Sequence, residues 1–513
     1  MTSELCLSID LGSGGPKIGL VTLEGEIVAN EVHSVTTHFT EDGGATQDAN
    51  EWWGIIIGAT KRLLAGVENS STNVRAIAVT GMYASTVPVD ANGNPTGPCV
   101  TWLDVRGGRY TREAIGGWFQ GYNPRKILPF VRKTGGAPST AGADPIGQIL
   151  SIMRDMPEVA AATRWYMEPI DFLTMRFTGV ASATHASRLV MWMTDNRKLD
   201  NYSYDAQLLA LVGLDEKFLP PLQAFGSIVG TLSLAVASEL GLANDVVVVS
   251  AIPDLHAAAI GAGATANYET HLALSTTSWI SCPVPKKKTD INHNIAAVPG
   301  LSNDSYVVID NQETGAKSLE WLRNVMAGSG ASMSFDEMTA LAATSSPGSN
   351  GVRFTPWLAG ERSPIDNKNI RAGFTNLSIT TTSADLVRSV MEGVAANSAW
   401  LFGYIEKFAG RTLTPIRLLG GGALSSLWCQ IFADTLDREV RRIDQPLLAQ
   451  LRGAALLASV ALGRYPLSEV PAPCTTTFHP SPDGGPPMRE RAEDIKSLYE
   501  RDKAWSRRHV KAR

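Results

Sequence analysis

Leu5-Cys6-Leu7-Ser8-Ile9-Asp10, then Leu11-Gly12-Ser13-Gly14-Gly15-Pro16-Lys17, then Ile18-Gly19-Leu20-Val21-Thr22-Leu23 open the chain as an apolar run, a glycine-rich polar turn and a second apolar run. Short apolar runs bounded by turn residues predict two strands joined by a hairpin. A second turn, Glu24-Gly25-Glu26, leads into Ile27-Val28-Ala29, so a β-meander begins the fold. The first turn admits two readings. One is an ordinary hairpin carrying an aspartate. The other is an anion cradle, because glycines let backbone N–H groups approach a negative group. In that reading Ser13 and Lys17 add contacts, and Asp10 holds Mg2+ through water, since this ion takes few carboxylates and keeps its waters. Two better-known nucleotide loops are excluded: Lys17 stands where G-x-G-x-x-G needs its third glycine, and G-x-x-x-x-G-K-[ST] is absent.

Working outward, Asp48-Ala49-Asn50-Glu51-Trp52-Trp53 begins an amphipathic run to about Ala65, a helix capped by Asp48. Val74 to Thr80 reads as a buried strand. Strands and helices then alternate, which predicts an α/β fold with mostly parallel crossovers. Residues 111–217 are helix-rich. Val246-Val247-Val248-Val249-Ser250 is a fully apolar strand. It runs through Ala251-Ile252-Pro253-Asp254 into a helix of small residues, His256 to Ala264. The opening pattern then returns: His271 to Leu274 as strand, Ser275-Thr276-Thr277-Ser278 as a hydroxyl-rich turn, Trp279 to Val284 as strand. This hint of duplication puts a domain boundary near residue 264, giving units 1–264 and 265–488. A charged tail, 489–513, carries Ile495, Leu498 and Tyr499 at helical spacing and reads as a surface helix.

A chain of 513 residues calls for two domains or three. With 44% hydrophobic and 19% charged residues it has the composition of a packed globular protein. Its net charge of −5 offers no field to a nucleic-acid backbone, and Lys286-Lys287-Lys288 reads as a solvated loop. Cys6, Cys99, Cys282, Cys429 and Cys474 are scattered, without a C-x-x-C pair, which argues for a reducing compartment. No apolar run reaches the ~18 residues of a membrane span, and no basic leader precedes the first strand. The expectation is a cytoplasmic protein with no nucleic-acid or membrane partner.

Two further positions can carry chemistry. Asp254, between an apolar strand and a helix, is either a helix cap or a general base whose ionised form the helix N-terminus favours. Gly420-Gly421-Gly422-Ala423-Leu424-Ser425 is either a plain strand-to-helix turn or a flat backbone surface for a ligand. Ser425 suits the N-cap of the helix that follows, with Trp428, Ile431, Phe432 and Leu436 on its buried face.

Taken together and in order, these segments resemble the FGGY carbohydrate kinases, of the sugar-kinase, Hsp70 and actin fold group, and most of all xylulokinase-like members. Asp10-Leu11-Gly12-Ser13 resembles the first phosphate motif and Gln47-Asp48-Ala49-Asn50-Glu51-Trp52-Trp53 the acidic-Trp helix start. Trp102-Leu103-Asp104-Val105-Arg106 resembles W-x-D-x-R, and Asp171-Phe172-Leu173 through Thr178-Gly179 resembles D-[YF]-L…L-T-G. Pro356-Trp357-Leu358-Ala359-Gly360-Glu361-Arg362-Ser363-Pro364 resembles P-[YW]-L-x-G-E-R-[ST]-P, and Gly420 through Asp434 resembles the adenosine motif.

The resemblance implies a two-domain ribonuclease H-like fold with an interdomain cleft, and ATP with Mg2+ as cofactors. It implies Asp254 as the catalytic base and Asp10 as the magnesium organiser. Gly12, Ser13, Gly14 and Lys17 would bracket the phosphates from one side, and Thr276, Thr277 and Ser278 from the other. Gly421, Gly422, Ser425 and Gln430 would lie against adenosine. Met82, Tyr83, Trp102, Asp104 and Asp254 would meet a small sugar or polyol, and a homodimer is implied.

The chain departs from the family pattern in places. Where xylulokinases carry G-Q-M-H-G it has Gly81-Met82-Tyr83-Ala84-Ser85, so Ala84 replaces the substrate histidine. The Arg-Glu pair of glycerol kinases is missing too. Ser275 stands where the second turn usually has glycine. These departures put xylulose in question and motivate an alternative, a catalytically weak member serving as an ATP and sugar sensor.

Overall fold

The computed structural model describes residues 3–509, apart from 291 and 329. Among these, a seven-stranded and an eight-stranded sheet organise two halves. The first contains β1 (Leu5–Gly12), β2 (Gly15–Thr22), β3 (Ile27–Val32), β4 (Val74–Gly81), β5 (Ile228–Thr231), β6 (Val247–Val249) and β7 (Ile252–Pro253), in the spatial order 5-6-4-1-2-3 with β7 pairing to β4. β1 to β3 form the expected meander. β4 and β6 then add in parallel, each after a long crossover. β1 is buried along nearly its whole length, as the central strand of a covered sheet must be. The edge strand β3 alternates between half-buried and exposed.

The second sheet contains β8 (Thr270–Leu274), β9 (Ser278–Val284), β10 (Thr289–Asp290), β11 (Ile295–Pro299), β12 (Tyr306–Gln312), β13 (Ile416–Leu419), β14 (Val440–Ile443) and β15 (Cys474–Phe478), in the order 10-11-12-9-8-13-14-15. β8 and β9 form a hairpin, and β13 and β14 add to β8 in parallel. The central pattern of the first sheet is thus repeated, and the recurring strand–turn–strand sequence is its trace.

Helices cover the sheets. α1 (Ala49–Gly66) is capped by Asp48, which accepts the Asn50 N–H (2.8 Å), and it buries Trp52, Ile56, Ile57 and Leu63. α2 (Pro169–Thr178) is buried over most of its length. α3 (Asp254–Gly261) follows β7. In the second half α4 (Phe335–Ala343), α5 (Ser383–Ala409), α6 (Ser426–Leu436) and α7 (Ala449–Ala461) precede a terminal α8 (Gly485–His509). α3 and α7 occupy equivalent places in the two repeats. Their small residues let the backbones touch: a Cβ on Gly261 would fall 1.9 Å from the Ala449 carbonyl oxygen, and one on Gly453 would fall 1.9 Å from that of Ala257. α7 also reaches into the first half. Its Arg452 Nε donates to the Gly25 carbonyl (3.0 Å) and Ser459 Oγ donates to that of Leu23 (2.5 Å).

The tail differs from its sequence reading. α8 begins at Gly485 and buries Met488, Arg491, Ile495 and Tyr499. Arg491 is 3% exposed and meets the fully buried Glu392 of α5 at 3.0 Å. The high charge of the segment hid this packing, because one of its charges is an internal ion pair. Residues 510–513 of the tail lie outside the described residues. The five cysteines are free, four of them buried, and among the described residues no helix is long and apolar enough to cross a membrane.

Candidate active site

β1 ends at the first glycine-rich turn. Asp10 is 3% exposed and accepts from Lys17 Nζ (2.8 Å), its register partner on β2. Gly14 is exposed with free space around its Cα, so the turn presents backbone outward. Asp10 pairs on its other side with Thr80 of β4, and β7 continues that edge as Ile252↔Thr80 and Pro253↔Gly81. The sheet therefore delivers Asp10, Gly81 and Asp254 to one end.

Asp254 is the first residue of α3, with Pro253 before it, so it is not the N-cap that one sequence reading allowed. Its half-buried carboxylate accepts the N–H of Leu255 (2.7 Å). Burial and the charge of Asp10 push this carboxyl up to about 7, against the pull of the Leu255 N–H and the Lys17 ammonium. Lys17 is held above its ordinary range, chiefly by Asp10 and in lesser part by Asp254. The three groups form one electrostatic unit.

The loop after β4 faces this unit. Gly81 has φ +154°, and a Cβ there would meet the Leu11 carbonyl oxygen at 2.4 Å, so the loop leaves β4 hard against β1. Ala84 is left-handed at φ +62°. The half-buried Tyr83 phenol is pushed upward by its burial and then by Asp254, while Arg362 of the second half pulls the other way. Tyr83 thus senses charges from both halves. Trp102 is 40% exposed, and its indole N–H donates to Ser13 Oγ (2.9 Å), tying this side to the first glycine-rich turn.

The second half repeats the arrangement. β8 ends at the turn 275–278 beside β13, which ends at Leu419 and leads into Gly420. Gly420 has φ +88°, and a Cβ on it would meet the Leu274 carbonyl oxygen at 2.6 Å, the counterpart of the Gly81 contact. Gly421 is exposed beside Leu447, and Leu424 is 57% exposed next to it, which leaves an open, partly apolar shelf. The glycine loop lies against the turn, since a Cβ on Gly420 would also meet Ser275 Oγ at 2.7 Å.

Several sequence assignments do not face this cleft. Met82 is 4% exposed and belongs to the core of the first half. Asp104 is 1% exposed; it accepts the Ala45 N–H (2.9 Å), the Arg106 N–H (3.0 Å) and the Arg106 guanidinium (2.6 Å), so its carboxylate is consumed in pinning two loops together. Ser278 is 1% exposed, with its hydroxyl against Ser398 Oγ (3.1 Å), while Thr276 is exposed and Thr277 half-buried. Gln430 spends its amide N–H groups on Asp434 (2.9 Å) and on the His479 carbonyl (2.8 Å). Gly422 packs on Leu274, and Ser425 caps α6 by accepting the Trp428 N–H (3.2 Å).

Other residues were missed. In the 356–364 segment, Glu361 is 1% exposed and accepts from Asn397 Nδ2 (2.6 Å) and from the N–H groups of Arg362 (2.8 Å) and Glu313 (3.0 Å). It thereby fixes the backbone from which Arg362 extends. Burial pushes its carboxyl up to about 7. Gly315 was missed as well: a Cβ there would strike the Thr277 carbonyl oxygen at 2.5 Å, so this glycine floors the second turn. An E-R pair followed by Ser-Pro was visible in sequence; its internal hydrogen bonds were not.

Two α/β repeats of this kind on either side of a cleft define the sugar-kinase, Hsp70 and actin-like fold, with the first glycine-rich turn and the raised carboxyl of Asp254 in the first repeat. The N-terminal domain of the FGGY family of carbohydrate kinases matches residues 5–261 and its C-terminal domain matches residues 258–462. The chain belongs to the FGGY family of carbohydrate kinases, and it is an ATP-dependent carbohydrate kinase. Among its relatives are a xylulose kinase of Staphylococcus epidermidis, 28% identical over 469 residues (91% of this chain, 89% of that one), and a gluconokinase of Bacillus subtilis, 24% identical over 471 residues (90% and 88%). Similar solved structures include a xyloylose kinase from Brucella ovis, with a TM-score of 0.86 at 22% identity, covering 98% of this chain and 100% of that one. A gluconate kinase from Lactobacillus acidophilus has a TM-score of 0.85 at 19% identity, covering 98% of each chain.

Proposed function

We propose that Asp254 accepts the proton of the attacking hydroxyl as the γ-phosphoryl group of ATP passes to an open-chain sugar or polyol of pentulose or aldonate size. The observation that carries this is the Asp254 carboxylate, raised to about 7 beside Asp10 and Lys17 at the mouth of the first turn. A base works best when its pKa lies near the working pH, and phosphoryl transfer asks for positioning and charge stabilisation around such a group. The acceptor lies against Tyr83 and Trp102. The triphosphate lies between Gly12, Ser13, Gly14 and Lys17 on one side and the turn with Thr276 and Thr277 on the other, with adenosine on the Gly421 shelf. Residues 1–264 carry the sugar side and residues 265–488 the nucleotide side.

Mg2+ suits the Asp10 end of β1. One carboxylate, open backbone and incoming phosphates meet the demands of an ion that keeps most of its waters. Asp10 would hold it, and the ion would neutralise phosphate charge. Relatives named for xylulose and for gluconate support the substrate size, and Ala84, lacking an imidazole, favours an acceptor other than xylulose. The free, mostly buried thiols support a cytoplasmic setting. Family resemblance supports a homodimer, which sedimentation would test.

The experiment is a coupled ADP-release assay with Mg-ATP over pentuloses, pentitols and aldonates, on the wild type and Asp254→Asn. Sugar-dependent turnover in the wild type, lost in the variant without loss of fold, is the expected result. ATP-binding with no turnover on any acceptor would favour a sensor. An active Asp254→Asn would remove the base assignment.

A further inference from the structure

Directly beneath the 81–85 loop lies a carboxylate that neither the sequence motifs nor the phosphate turns account for. Glu168, at the N-terminus of α2, is 0% exposed. Its Oε2 accepts the backbone N–H of Ser85 (3.1 Å), 83 residues away in the chain, while its Oε1 is buried without a hydrogen-bond partner. A buried carboxylate with a spare oxygen is costly. Arg188, itself 1% exposed, offsets part of that cost electrostatically, but its ion pair at 3.6 Å is with Asp171.

The contact has a clear geometric consequence. Ser85 follows Ala84, whose φ of +62° is strained for a residue with a Cβ and persists only where neighbours hold it. Two neighbours do so: Gln148 Nε2 donates to the Ala84 carbonyl (2.8 Å), and Glu168 takes the next N–H. From Ser85 a chain of hydrogen bonds runs to the phosphate turn. The Trp102 backbone N–H donates to Ser85 Oγ (3.0 Å), the Trp102 indole N–H donates to Ser13 Oγ (2.9 Å), and Gln47 donates to the Ser13 carbonyl (2.8 Å).

We infer that Glu168 is a positioning residue: by anchoring Ser85 it fixes the Tyr83–Ala84 loop and, through Ser85 and Trp102, sets the distance between the acceptor loop and the first phosphate turn. This rests on the acceptor placement proposed above. In this chain the anchor stands where the substrate loop has lost its histidine, so acceptor position depends on loop shape more than on a side-chain contact from Ala84.

The test compares steady-state kinetics of Glu168→Leu, Glu168→Gln, Ser85→Ala and Asp171→Asn on an acceptor that the wild type phosphorylates. Glu168→Leu removes the anchor, so kcat/KM for the acceptor falls on the order of 10- to 100-fold, as misplacement by about an ångström does, while KM for ATP stays within about twofold. Glu168→Gln keeps an acceptor for the Ser85 N–H and restores most of that loss. Ser85→Ala breaks the next link and raises acceptor KM in the same sense. Asp171→Asn disturbs the same buried charge cluster without touching the loop, so it lowers melting temperature with acceptor KM unchanged. Glu168→Leu with wild-type acceptor kcat/KM, or Ser85→Ala with wild-type acceptor KM, would overturn the positioning role, as would Asp171→Asn lowering acceptor kcat/KM as strongly as Glu168→Leu. Should Glu168→Leu not fold, Ser85→Ala and Glu168→Gln carry the comparison. An Asp254→Asn control separates the two claims: an active control removes the base assignment, while the Glu168 comparison is read on the acceptor kinetics of the other variants in either case.

Discussion

Asp254 titrates where its surroundings put it, and that placement has a sign. Its carboxyl is raised to about 7 by burial and by Asp10, and the ionised form is the one the proposed base role requires. Turnover at low substrate should therefore climb with pH through about 7 and level off above it. Replacement by Asn should lower kcat by about 10²- to 10⁴-fold, the usual range for a lost general base. Stability moves the other way. A carboxyl raised above its unfolded value favours the fold while protonated, so its contribution is present below about pH 4 and is lost as pH rises through about 7. Asp254→Asn should accordingly melt above the wild type at pH 8 and close to it at pH 4, which scanning calorimetry would show.

The place of Asp254 at a strand–helix junction was legible because strand, Pro253 and a helix of small residues adjoin it in the chain. Asp104 and Ser278 have the right residue types, but their direction is set by partners 59 and 120 residues away. Local pattern carries no record of that. The same is true of Glu168.

At the scale of elements, the two repeats meet through α3 and α7. Gly261 and Gly453 stand in reciprocal contact with the carbonyls of Ala449 and Ala257, each 1.9 Å from a would-be Cβ. Gly453→Ala must push the helices apart or bend one of them. A cost of about 1–3 kcal/mol or more follows from overpacking, and urea denaturation would measure it. Gly261→Ala combined with Gly453→Ala should cost less than the sum, because the first separation relieves the second clash. A variant as stable as the wild type would mean the helices are not closed at this point. The sequence reading marked His256 to Ala264 as a helix of small residues and said nothing of 449–461, which the structure shows to be helical too. Where they cross depends on the pairing of two sheets, so it could not be read from either segment. The repeated hairpins were easier: strand, turn and strand adjoin in the chain, and the observed limits match the runs of apolar residues closely.

At the scale of the molecule, catalysis requires two halves to close on a substrate and exclude water, which would otherwise take the phosphoryl group. The contacts of Arg452 and Ser459 with the β2–β3 turn, and the pairing of Arg491 with Glu392, join distant parts of the chain. Arg491→Ala withdraws one of two arginines from the fully buried Glu392, the other being Arg388 at 2.7 Å. Loss of a buried partner of this kind costs about 3–5 kcal/mol, so this variant should denature at distinctly lower urea than the wild type. The tail was read as a surface helix, and a helix it is; the burial of Arg491 was not foreseen, because charge is ordinarily a surface property and the exception needed its partner to be seen.

A structure with a non-hydrolysable ATP analogue, Mg2+ and an accepted polyol bound together tests the central claim most directly. One acceptor hydroxyl is expected within about 2.6–3.2 Å of an Asp254 oxygen, facing the terminal phosphate across the cleft. A hydroxyl aligned with that phosphate but out of reach of Asp254, with another side chain at its proton, would contradict it.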